Sequence, residues 1–123
     1  MFKIDHRSIA DVEPFEHIPG ADGLALGSAA KLASGALAKA GATDMPTHII
    51  MGVKDERGNY PAIRVLKSTI FDTTSSATVA STLVGSAVTL HTDALGVTAT
   101  TTSGVFTITE TDGANSVKGY FNV

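Results

Sequence analysis

The chain has no cysteine and no tryptophan among its 123 residues. Without cysteine there can be no disulfide framework, no thiolate metal site and no sulfur nucleophile. Stability has to come from packing or from neighbouring subunits, and the length suffices for one domain with a real core. Charged residues make up only 17% of the sequence, and the formal net charge of −3 gives no basic field for neutralising phosphates. Nucleic acid is therefore not expected as a partner. No apolar run approaches the length that spans a bilayer, and the opening MFKIDHRSIADVEPFEH lacks the basic start and apolar stretch of a secretory signal. The expectation is a soluble protein, with no membrane partner, assembled where it is synthesised. Charge is scarcest from Thr73 to Thr109, where Asp93 and His91 alone interrupt a run dominated by Thr, Ser, Ala, Val and Gly. Interface cores are depleted of charge in the same way, which points to a protein held against partners.

What the sequence does contain is short, turn-bounded and rich in β-formers. HIIMGV (48–53), the polar turn DERGN (55–59) and YPAIRVLKSTIF (60–71) read as a hairpin. VFTITE (105–110), the turn residues Asp112-Gly113 and VKGYFNV (117–123) read as another, with Val117, Phe121 and Val123 on one face. LALGSAAKLASGALAKAGA (24–42) is alanine-rich, but Gly27, Gly35 and Gly41 interrupt a helix at about 1 kcal/mol each. Two short strands about Ser34-Gly35 are predicted there. An ungapped echo supports this, since GSAAKLASGAL (27–37) lines up on GSAVTLHTDAL (85–95), whose Val88, Thr89 and Thr92 favour strands; a hairpin is expected in both places. DTTSSATVASTL (72–83) is either a short helix near 74–84 capped by Ser75 or Ser76, or a threonine-rich loop. The fold class is mainly β, a small barrel or sandwich of short antiparallel strands.

Residues 1–20 form the other unit of the reading, ahead of a single β-rich domain at 21–123. Pro14 and Pro19 hold the backbone extended, while Phe2, Ile4, Ile9, Val12, Phe15 and Ile18 give it apolar handholds. This is either an arm that reaches a partner or an edge strand folded onto its own domain.

No catalytic grouping emerges. His6, His17, His48 and His91 lack i,i+4 pairing and a carboxylate at ligand spacing, and Asp11, Glu13, Glu16, Asp55 and Glu56 read as solvated charges. There is no G-x-S-x-G elbow, no P-loop and no dinucleotide-binding glycine pattern. A non-enzyme without metal or cofactor is expected.

Taken in order, MFKI, the segment ending in HIPG, GSAAKLASGALAKAGATD, MPTHI leading into IMGV, IRVLKSTIF, and GSAVTLHTDALGVTATTTSG before a terminal strand pair resemble the small head-decoration, or capsid cement, proteins of tailed bacteriophages. The resemblance covers nearly the whole chain. It implies a β-rich virion subunit on the capsid exterior that bridges neighbouring major capsid proteins, forms homo-oligomers, commonly trimers, and has no enzymatic activity. It also implies that the capsid contact is made by the arm, through Phe2, Ile4, Ile9, Val12, Phe15 and Ile18. A tail or baseplate structural protein shares this composition. A soluble adhesive or carbohydrate-binding module is a further alternative, but such sites lean on exposed aromatic platforms, and here tryptophan is absent and tyrosine limited to Tyr60 and Tyr120.

Overall fold

A computed structural model describes residues 1–7 and 15–123 of the chain. The strands are β1 (Lys3–Arg7), β2 (Glu16–Pro19), β3 (Ala29–Ala33), β4 (Ala36–Lys39), β5 (His48–Ile50), β6 (Asn59–Arg64), β7 (Thr69–Thr74), β8 (Ala87–Val88), β9 (Phe106–Thr111) and β10 (Ser116–Phe121). They form two five-stranded antiparallel sheets in a sandwich-like arrangement, with orders β2-β6-β5-β3-β4 and β1-β7-β10-β9-β8.

Period-two alternation builds these strands. On β9 and β10, Phe106, Ile108, Val117 and Phe121 point into the core while Thr107, Thr109 and Lys118 face outward. Ser34 (φ 53°) and Gly35 (φ 81°) both take left-handed backbone, the geometry of a tight turn whose twist matches the flanking strands, so β3 and β4 form the expected hairpin. The hairpins at 48–64 and 106–121 form as well. Val123 lies past the end of β10 and is 49% exposed, so it does not share the buried face of Phe121. The 60–71 run is broken between β6 and β7, so it supplies strands to both sheets. The 72–83 segment divides between β7 and a 3₁₀ turn at Ser81–Leu83 whose N-cap, Ala80, has no side-chain bond.

The described part of 1–20 is not a separate arm. β1 pairs with β7 and β2 with β6, each on the edge of its sheet, and Phe2 is a core residue at 2% exposure. Apolar area as large as a phenyl ring is worth about 2 kcal/mol or more when withdrawn from water, which favours folding onto the domain over projecting from it.

Both halves of the chain use one plan. The order β2-β6-β5-β3 recurs as β7-β10-β9-β8. Gly27 N–H donates to Ile50 O at 2.7 Å, and Gly85 N–H to Ile108 O at 2.7 Å. Ile50 N–H donates back to Ser28 O and Ile108 N–H to Ser86 O, both at 3.0 Å. Parallel bridges join Gly20 to Leu37 and Ser75 to Val97. In the turns, Asp55 Oδ1 accepts from Arg57 and Asn59 N–H, as Asp112 Oδ1 does from Ala114 and Ser116 N–H. The echo between 27–37 and 85–95 marks this duplication at its glycine-serine turn. Beyond that turn the copies diverge: the second gives only β8 and one Leu90–Val97 bridge where a full hairpin was expected.

The two units stack in the same orientation. In the first, Ala30, Leu37, Ile50, Tyr60 and Ala62 form a small core on one face, and Ala29, Ile49 and Ile63 are buried on the other. The counterparts of the small core, Val88, Val97, Ile108 and Val117, face that second surface and build the main core with it. The middle of the first sheet, at Ala29 and Ala30, Ile49 and Ile50, and Ala62 and Ile63, is thus buried on both faces.

Candidate functional site

Two regions gather side chains of chemical interest. The first lies where β2, β5 and β6 run side by side. Glu16 faces Ala62 across the β2–β6 ladder and His48 faces Arg64 across β5–β6, which brings three polar side chains together. His48 is fully buried, and its Nε2 bonds to Glu16 Oε2. Its Nδ1 lies 2.8 Å from Thr47 Oγ1, which also accepts the Leu32 N–H at 2.9 Å. Arg64 Nη2 donates to Glu16 Oε1 at 2.8 Å. The Arg64 guanidinium, and then the imidazole, hold the Glu16 carboxyl below the usual carboxylate range. Hydroxyl, imidazole and carboxylate stand in the order of a nucleophile relay. The imidazole, however, is sealed from solvent with both nitrogens engaged, and Thr47 Oγ1 is tied to β3. The arrangement therefore works as a brace that fastens edge strand β2 to the sheet.

This grouping was not legible in the sequence. Glu16 read as a solvated charge and His48 as a scattered histidine, because 32 positions separate them. The only local sign was a histidine heading the apolar run HIIM.

The second region is an apolar groove of about 310 Å³ lined by Met1, Phe2, Ile4, Leu26 and Met51, with Lys3 at its border. Leu26 is 52% exposed, held out by a turn in which Gly27 has φ 80°. The Met1 side chain lies where a Cβ on residue 27 would sit, within 1.7 Å, so only glycine lets the N-terminal strand close over this turn. Phe2 N–H donates to Gly27 O at 2.8 Å and completes the wall.

Of the predicted contact residues, Phe2 is buried at the base of this groove and Ile4 is half-buried beside it. Ile18 packs against the small core, and Phe15, 52% exposed, stands at the start of β2. Ile9 and Val12 lie outside the described residues. Of the four that are described, Phe2 and Ile4 belong with the main core and Ile18 with the small one, so these four do not share one surface. Among the described residues no three His, Cys, Asp or Glu side chains group as metal ligands, and no helix is long and apolar enough to cross a membrane. No protein-family model, curated protein or solved structure matches this chain.

Proposed function

We propose that this chain is a structural virion protein that binds the outer surface of a tailed-phage capsid and cements neighbouring major capsid proteins, acting as a homo-oligomer, with a trimer favoured. The observation that carries this reading is the apolar groove at the N-terminal strand. Met1 and Leu26 are exposed across a wall of Ile4 and Met51, on a protein with little surface charge. An exposed apolar cleft suits docking against another protein's side chain. Affinity per contact can stay modest, because many copies on one lattice raise the effective concentration of each remaining contact. Phe15, exposed at the start of β2, offers a second apolar foothold from the predicted contact segment.

The test is binding of purified protein to heads that lack it, with occupancy read by electron microscopy. Wild-type protein should saturate defined positions on the head exterior. Leu26→Glu should fold normally, since Leu26 is exposed, yet lose occupancy at least tenfold. Failure of the wild-type protein to bind heads, or full occupancy by Leu26→Glu, overturns the reading.

A further inference from the structure

The internal duplication separates what belongs to the repeated unit from what was added to it. β7 carries β1 on its outer edge, whereas its counterpart β2 is the terminal strand of its sheet among the described residues. The first unit forms its small core without such a strand. β1 therefore lies outside the repeated plan, as an accessory strand laid on the second unit.

β1 makes its ladder with a single strand, β7, and Phe2 N–H, just ahead of it, donates to Gly27 O. The register shifts between Ile4 and His6. Lys3, Asp5 and His6 are exposed. Burial is concentrated in Phe2, whose ring lies 5.1 Å from Phe121, 5.7 Å from Phe106 and 6.3 Å from Phe71 between centroids. A backbone ladder with one deep aromatic anchor is how a strand binds when another chain supplies it.

We propose that β1 is exchanged between copies: in the oligomer, the β7 edge of one subunit receives Lys3–Arg7, with Phe2, from a second copy of this chain. The edge already fits this sequence. Lys3 sits opposite Asp72, Asp5 accepts from Lys118 Nζ at 2.9 Å, and Phe2 fills the nest of three phenyl rings. The same contacts form in trans as in cis, so exchange leaves the interaction set unchanged and is a low-cost route to association. In the chain, residues 8–15 separate β1 from β2. This inference does not depend on the capsid, because exchange is read in solution.

The absence of cysteine makes the test clean. Lys3→Cys and Asp72→Cys, opposite each other across β1–β7, are prepared as separate proteins, unfolded together, refolded and oxidised. His6→Cys with Ile70→Cys is a second opposed pair, in case one variant does not fold. The expected result is a disulfide-linked pair of chains on a non-reducing gel from each folded mixture, at least tenfold over a mixture of Lys3→Cys with Glu110→Cys. Glu110 is in the same row but three strands from Lys3, beyond disulfide reach. Each pair is also placed in one chain to confirm that its geometry closes. If the doubly substituted chains close within themselves while the mixed single variants stay unlinked, or if the Glu110→Cys control links equally well, exchange is overturned.

Discussion

His48 and Phe106 occupy the same place in the two halves of the chain. His48 faces Ala30 across β3–β5 as Phe106 faces Val88 across β8–β9. Around that place the first unit sets Glu16 and Arg64, and the second sets Phe71 and Phe121. One backbone plan thus carries a hydrogen-bonded polar cluster in one copy and a phenyl cluster in the other. The difference follows from cover: Phe2 and the back of the first sheet close over the rings, whereas Glu16 and Arg64 keep contact with solvent.

Replacing His48 should be costly. His48→Ala removes a fully buried ring and leaves Glu16 with one fewer partner, a loss of about 2–4 kcal/mol. Urea unfolding should show a lower midpoint with the slope unchanged. A midpoint within experimental error of wild type would mean that the brace contributes nothing.

Acid should act partly through Glu16. Its carboxyl is held low in the folded chain, by Arg64 first and His48 second, so its contribution to stability is present above the unfolded carboxylate value of about 4.3. That contribution is lost as pH falls through the lower, folded value. Glu16→Gln should be less stable than wild type at pH 7, with the gap closing below about pH 4. Thermal melts across that range give the comparison, and a gap that stays constant with pH would refute the assignment.

Gly119 and Gly113 should respond differently to alanine. A Cβ at Gly119 would lie 2.1 Å from Thr107 O and 2.7 Å from the Phe106 ring, so β9 and β10 must separate. A loss of about 3 kcal/mol or more is expected. At Gly113 the space is open and only the φ of 80° opposes a side chain, for about 1 kcal/mol. Equal losses in the two variants would contradict the packing described at β9–β10.

Truncation after Ser116 removes most of β10, which pairs with β7 on one side and β9 on the other and carries Val117 and Phe121 into the core. Both neighbours are left with open edges, and the product should aggregate rather than fold. Circular dichroism and solubility decide the matter, and a soluble, cooperatively melting fragment would show that β10 is dispensable.

Deleting residues 1–7 should lower stability by at least the worth of Phe2, about 3–5 kcal/mol, because the phenyl nest loses its fourth ring. An unchanged melting transition would mean that the strand is a free arm after all.

The sequence by itself determined the class of fold and the positions of its sharpest turns. Alternation at 105–110 and 117–121 reads directly as paired strands because side chains on a pleated strand point to opposite faces in turn. Ser34-Gly35 and Asp112-Gly113 read as turns because few residues accept positive φ. Even the duplication left a trace, at the Gly27-Ser28 and Gly85-Ser86 turns, where the backbone itself demands glycine. Only the tertiary structure decided which strands share a sheet, that Phe2 belongs to the core, and that Glu16, His48 and Arg64 meet. Those outcomes depend on contacts between residues far apart in the chain. Local pattern reports which face of a strand is apolar; what that face meets is set when the two units stack.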